Sequence, residues 1–491
     1  MAAPLDSFFL DPAAPGTLQA RIRQMIAAGI LSGRLRRGEK LPSSRRLAAH
    51  LGVSRITVTQ AYAELVASDF LTAKGRAGTF VSPDAPAPPA FQPPPARAPA
   101  VDWQAALARR FSGAPGFDKP RDWARYRFPF IYGQPDRALV DRPNWRLCAI
   151  QALGATDFEA LAADQFDGDD GYLVEFILRH ILPRRGILAR PEEVLVTLGA
   201  QNALWLAAQV LLGPGRAAAV EDPCYPALRG ILATTGAEVR PVPVDGDGLP
   251  PDALPGDTGV IFTTPSHQSP TNATMPRDRR RALLSRAAAL GATVVEDDYE
   301  FEMAFLGAPL PALKSLDAEG RVIYVGSLSK ALFPGLRLGY LVGPEPFLRE
   351  ARALRATVLR HPPGHVQRTA AHFLSLGHYD AQIQRMGRVF AERRAVMARA
   401  IDAAGLTIAG RGAFGGSSFW MRAPEGVDTA PLAAALRARE VLIEPGAPFF
   451  AGAAPPRHFY RLAYSSIDAG RITEGIRRIA EALAEPPQHW T

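Results

Sequence analysis

Cysteine is nearly absent from this chain: Cys148 and Cys224 are the only two in 491 residues. That excludes a disulfide framework and points to packing roles in a reducing, cytoplasmic setting. No run of about 18 apolar residues occurs, so no membrane-spanning helix is expected. The N-terminus has no basic segment followed by an apolar one, so no signal peptide is expected either. No internal repeat is present. Acidic residues are scarce at one end, where residues 1–82 hold five Asp and Glu against eleven Lys and Arg. That small head therefore carries six of the chain's eight net positive charges, which suggests a polyanionic partner for it. With 47% apolar and 21% charged residues, the whole suits a soluble protein of two or three domains.

In the head, Leu18, Ile22, Met25, Ile26 and Ile30 form a helical stripe opened by Thr17, a residue type that caps helices. Ser43 caps a second helix, Ser44 to Leu51, which Gly52 stops, and Ser54 caps a third. On the third helix Val58, Ala61, Tyr62, Leu65 and Val66 share one face, while Ile56 and Gln60 point the other way. Phe70–Thr72 and Thr79–Val81 read as a hairpin across the basic turn Lys74-Gly75-Arg76. Together these elements predict a winged helix-turn-helix whose third helix enters the major groove of double-stranded DNA. The string from Leu41 to Tyr62 resembles the GntR family of bacterial regulators. That resemblance implies groove and phosphate contacts by Arg45, Ser54, Arg55, Thr57 and Thr59, with Gly75 and Arg76 at the wing. The wing departs from the family's usual Gly-Ser-Gly-Thr.

Eight prolines fall within residues 83–100, a composition that forms neither core nor sheet and predicts a semi-extended spacer. Beyond it, strand and helix signals alternate, and polar motifs fall at strand ends, where open α/β sheets bind ligands. The expected strands are Val194–Leu198, Ala217–Glu221, Gly259–Thr263, Thr293–Glu296 and Val322–Val325. A long basic helix, Asp380 to Ala404, leads to a smaller α+β domain. The expected divisions are a head at 1–82, a linker at 83–118, a large domain at 119–380 and a helix plus small domain at 381–491.

Lys330 follows the strand ending at Val325, in Gly-Ser-Leu-Ser-Lys. A lysine partly buried near other cations loses its proton more readily and can then form a Schiff base with an aldehyde. Ser327 and Ser329 supply hydroxyls, and Arg337 a planar fork suited to phosphate. An amine, a phosphate anchor and small polar groups describe a pocket for pyridoxal 5'-phosphate. Ser-Leu-Ser-Lys followed by Pro-Gly-Leu-Arg-Leu-Gly-Tyr resembles the lysine motif of the fold-type I, class I/II aminotransferase superfamily, over most of the chain after about residue 120. Gly199, Ala200 and Gln201 open a helix whose free N–H groups can hold the phosphate. The resemblance implies that Tyr225 stacks on the pyridine ring, that Asp297 pairs with the ring nitrogen, and that Tyr299 reaches the 3-oxygen. It also implies that Arg461 binds the carboxylate of an amino acid. Where aminotransferases carry Asn-Pro-Thr-Gly, this chain has Ser269-Pro270-Thr271-Asn272, so His267 or Gln268 is expected to replace the missing Asn. Gly415-Gly416-Ser417-Ser418 stands where related regulators often have a histidine. No metal is expected.

A GntR-like head linked to an aminotransferase-like body is the layout of the MocR/GabR subfamily, which the chain resembles over nearly its whole length. The resemblance implies a homodimer that senses pyridoxal phosphate, an amino-acid or amine effector, or both, and switches a promoter. The alternative is a working aminotransferase with an accessory DNA-binding head.

Overall fold

The computed structural model describes residues 3–10, 15–86, 101–112, 119–134, 136–410, 412 and 415–486. It divides into two compact units, residues 1–110 and 111–491.

The first unit contains α1 (Leu18–Leu31), α2 (Ser44–Leu51), α3 (Arg55–Ala67) and a hairpin of β1 (Leu71–Ala73) and β2 (Thr79–Val81). Each helix starts on a hydroxyl cap: Thr17, Ser43 and Ser54 accept from Ala20, Arg46 and Thr57 backbone N–H. Such caps are each worth about 1 kcal/mol. Gly52 ends α2 at φ +65°, a left-handed turn that favours glycine. Ile22, Ile26, Ile30, Leu47, Val58, Ala61 and Leu65 make the core. The buried Tyr62 hydroxyl donates to Pro42 O at 2.8 Å and fixes the approach to α2.

In the second unit, α4 (Arg142–Ala152) precedes a seven-stranded sheet. Its strands are β3 (Val194–Thr197), β4 (Ala217–Asp222), β5 (Glu238–Pro243), β6 (Thr258–Thr263), β7 (Thr293–Asp298), β8 (Val322–Ser327) and β9 (Gly339–Val342). Their spatial order is β3-β9-β8-β7-β6-β4-β5. β9 runs antiparallel to both its neighbours, and the other pairings are parallel. Apolar clusters cover both faces, as a mainly parallel sheet requires. The strands expected from sequence are all present, but β7 continues through Asp297 and Asp298, and β5 and β9 are additional.

The helix α5 (Ala200–Leu211) begins directly after Gly199, which stands at its N-cap position. The long α6 (His378–Ala403) leads to a four-stranded antiparallel sheet containing β10 (Ser418–Arg422), β11 (Glu444–Pro445) and β12 (Phe459–Ala463). Phe128–Pro129 pairs in parallel with Val441–Leu442, which stitches the start of the body to this small domain.

Gly326 marks where β8 meets the candidate site. A methyl built there would overlap the buried Tyr340 ring on β9. Gly326→Ala is expected to lower the thermal midpoint of the body by about 5 °C or more, since overpacking costs a few kcal/mol; a differential scan checks this, and an unchanged midpoint would show that the ring moves freely.

Candidate functional site

On the head, Arg45, Ser54, Arg55 and Thr59 are exposed, and Thr57 is half-buried. Ser54 Oγ lies 3.0 Å from Thr57 Oγ1 while accepting from Thr57 N. Thr59 Oγ1 donates to Arg55 O at 2.9 Å, so both hydroxyls also serve the helix start. Arg55 Nε reaches Ser44 Oγ at 3.5 Å, which links the starts of α2 and α3. Ile56 is 70% exposed beside them, an apolar side chain of the kind that packs on thymine methyls. Gly75 is exposed at φ +50°, and the side chain of Arg76 lies outside the described residues. Lys40 and Lys74 stand over the Phe80 ring at 5.8 and 5.2 Å. The hairpin thereby gains Lys40 as a cation beside Lys74 of the basic turn.

On the body, a cavity of about 190 Å³ opens at the carboxyl ends of the strands. It gathers Ala200, Gln201, Tyr225, Asp297, Tyr299, Ser327, Ser329, Lys330, Arg337 and Arg461. Gly199 sits directly behind Arg337, since a Cβ there would lie 3.2 Å from Arg337 Nη2. Arg337 itself adopts φ +54° and donates from Nη2 to Leu198 O at 3.4 Å. Its guanidinium is thereby held at the start of α5, whose N–H groups already favour an anion. Leu338 N donates to Ser329 Oγ at 3.2 Å, which fixes that side of the loop. Tyr225 donates to Gln201 Oε1 at 3.4 Å.

Burial pushes the Lys330 amine down to about 8; Arg461 and Lys119 add to the effect, while Glu300 opposes it. Burial likewise pushes Asp297 up to about 7, with the neighbouring Asp298 carboxylate reinforcing it. Strand alternation separates those two aspartates. Asp298 is buried in an ion pair with Arg185 at 2.7 Å and accepts from Tyr324 at 2.8 Å. Asp297 lines the cavity, and among the described residues its Oδ1 meets no hydrogen-bond partner. An unpaired buried oxygen of this kind is costly unless a ligand completes it.

His267 and Gln268 are not brought to this cavity. Gln268 is spent on its own loop: Nε2 donates to Glu221, Pro223 O and Ser269 O, and Oε1 accepts from Thr271. His267 is buried beside Arg185 and Arg280, and burial lowers it to about 4, so it is neutral. Ser269 lines the cavity instead. Asn272 stands at φ +60°, a backbone region that glycine otherwise fills, and donates to Ser418 O at 2.7 Å.

Residues not singled out from sequence complete the site. Tyr132 and Gly133 line it, and the Tyr132 ring lies 4.0 Å from Lys330 Nζ and 4.2 Å from the Arg461 guanidinium. A second, much smaller cavity of about 40 Å³ shares Lys330, Tyr132, Gly133 and Pro334 and adds Glu300 and Ser417. Arg461 Nε donates to the buried Glu444 at 2.7 Å, so its charge is already partly engaged. Among the described residues no cluster suits a metal ion, and no helix is long and apolar enough to cross a membrane.

With this geometry in hand, two family profiles match the chain. "Aminotransferase class I and II" covers residues 173–479, and "Bacterial regulatory proteins, gntR family" covers residues 18–81. The chain is 62% identical to the HTH-type transcriptional regulator TauR of Rhodobacter capsulatus, over 98% of this chain and 100% of that protein. It is 33% identical to the HTH-type pyridoxine biosynthesis transcriptional regulator PdxR of Corynebacterium glutamicum, over 78% of each. Among solved structures, LysN, an alpha-aminoadipate aminotransferase from Thermus thermophilus complexed with N-(5'-phosphopyridoxyl)-L-leucine, is similar at a TM-score of 0.70 and 29% identity. The likeness covers 78% of this chain and 98% of that one.

Proposed function

This chain belongs to the MocR/GabR-type regulators, a GntR-family head fused to an aminotransferase class I and II domain, and from that premise we propose that it is a DNA-binding transcriptional regulator that takes pyridoxal phosphate at Lys330 and responds to an amino-acid or amine effector. In this reading residues 1–82 are the DNA-binding head, 83–118 the linker, 119–380 the cofactor-binding large domain and 381–491 the interdomain helix and small domain. The observation that carries the reading is the shared cavity of Lys330, with its readily deprotonated amine, and the partnerless Asp297 oxygen.

The residues present fit the cofactor. Asp297 would face the pyridine nitrogen and hold its proton, and Tyr225 offers an aromatic face. The start of α5 with Ser327, Ser329 and Arg337 would hold the phosphate. When bound, pyridoxal phosphate supplies an aldehyde carbon with which Lys330 and an effector amine can form a Schiff base in turn. Arg461 draws in the effector's anionic end. Effector binding switches DNA affinity only if it favours one arrangement of the chain over another. A homodimer is supported by Leu147, Ile150 and Leu153, which leave one face of α4 apolar and more than half exposed. Two heads would then address two half-sites.

The test is a gel shift of the DNA flanking the gene, with pyridoxal phosphate and a panel of amines and amino acids. The expected result is two chains per operator and an effector-dependent affinity change of about tenfold, in the range of ordinary coupling energies. Constant operator affinity, together with keto-acid turnover at about 1 s⁻¹ or faster, would establish the aminotransferase alternative in its place.

A further inference from the structure

The outward stripe of α3 is uncharged, although the head as a whole is basic. Val58, Ala61, Tyr62 and Leu65 are buried on one side of this helix. Ile56, Thr59, Gln60 and Ala63 follow at helical spacing on the opposite side, and all are exposed. Thr59 Oγ1 donates to Arg55 O, which commits the hydroxyl to the helix and leaves the methyl as the group this residue offers. Glu64, one turn after Gln60, is taken up by α1: its carboxylate accepts from Gln19 Nε2 at 2.6 Å and from Arg23 Nη1 at 3.0 Å. Arg45 and Arg55 stand at the starts of α2 and α3, off this stripe. What remains is a pair of apolar contacts and one amide, with no arginine or lysine among them. In the major groove arginine and lysine read guanine, a Gln amide matches adenine, and apolar groups meet the thymine methyl.

We propose that this stripe reads A·T pairs: Gln60 takes an adenine edge, Nε2 donating to N7 and Oε1 accepting from the N6 amino group, while Ile56 and the Thr59 methyl cover the 5-methyl groups of nearby thymines. The proposal rests on the reading of the head as a DNA-binding winged helix-turn-helix, and it adds which bases the helix selects. Ile56 and Gln60 are one turn apart, about 6 Å along the helix axis, which is close to two base-pair steps of roughly 3.4 Å. A thymine and an adenine within about two steps of each other therefore form the core of each half-site. The lack of charge also serves selectivity. An arginine here would gain affinity from phosphate on any sequence, whereas a methyl contact and an amide gain it only where the matching base edge is present.

The experiment measures binding of the full-length protein to the DNA flanking the gene, prepared with natural bases or with one base replaced throughout. Uracil in place of thymine removes only the 5-methyl group, and 7-deazaadenine or 7-deazaguanine removes only the N7 acceptor of its purine. Wild-type affinity should fall by about fourfold or more on uracil DNA, the scale of one buried methyl. It should fall by about tenfold or more on 7-deazaadenine DNA, the scale of a broken bidentate contact. Ile56→Ser should cut the uracil penalty to less than about twofold and keep the 7-deazaadenine penalty, and Gln60→Ala should do the reverse. Both side chains are exposed and outside the head's core, so neither substitution disturbs the fold. An analogue that acts only by changing DNA shape penalises all three proteins alike, and equal penalties in wild type and both variants overturn the proposal. A loss confined to 7-deazaguanine DNA overturns it too, and moves the reading to the arginines. If wild type binds the natural flanking DNA no more tightly than unrelated DNA, the operator reading fails first, and the stripe with it.

Discussion

Lys330→Ala yields a protein that stays colourless with pyridoxal phosphate, loses covalent capture of the aldehyde, and still binds DNA through its head. Absorbance in the visible, followed by reduction with borohydride and mass measurement, checks it. Retention of label at another lysine would transfer the role elsewhere. The expected loss is large because no other described lysine lines the cavity. At pH 7 an amine of pKa about 8 is neutral in about a tenth of molecules, against roughly one in three thousand for an ordinary lysine. Only the neutral amine attacks a carbonyl, so the capture rate in wild type should rise with pH through about 8 and level off above it. Asp297 changes in the same direction: raised to about 7, it gains its charge, and its hold on a protonated ring nitrogen, as pH rises through that value. Capture that is flat between pH 6 and 9 would contradict both assignments.

Removing two cations from the head, by Arg45→Ala with Arg55→Ala, should weaken operator binding by about 100-fold, since each charged contact carries about 1–3 kcal/mol. The slope of log affinity against log salt should fall in magnitude by about two, if both arginines contact phosphates. A loss of affinity at one base position with the salt slope intact would instead make Arg55 a base reader. Visible absorbance with pyridoxal phosphate should be unchanged in this variant, because the substitutions lie in the other compact unit.

Much of this arrangement is legible from sequence where the governing physics is local. The caps Thr17, Ser43 and Ser54 declare the head's helices, and short β-branched runs declare most of the sheet. Local signals fail where an edge or a crossing decides. β5 contains Pro241 and Pro243, which only an edge strand tolerates, and it lies at the end of the sheet. β9 looks like the tail of the lysine motif, and only its two antiparallel neighbours make it a strand. In the site, the resemblance points to Asp297, and strand alternation leaves Asp297 at the cavity while Asp298 turns away to Arg185. Gln268 illustrates the opposite case: its place beside the altered Asn-Pro-Thr-Gly motif suggests a ligand contact, but its amide is consumed by Glu221 and by loop carbonyls. Lys119 and Glu444 are 325 positions apart and meet only through the fold, which no periodicity along the chain encodes.

The Tyr132 ring touches both the Lys330 ammonium and the Arg461 guanidinium. A π-face attracts cations through its fixed quadrupole, and two like charges sharing one ring also repel each other. Discharging Lys330 therefore strengthens the ring's grip on Arg461, and neutralising Arg461 makes it easier for Lys330 to keep its proton. The charge states of the two residues are thereby coupled through one shared aromatic plate.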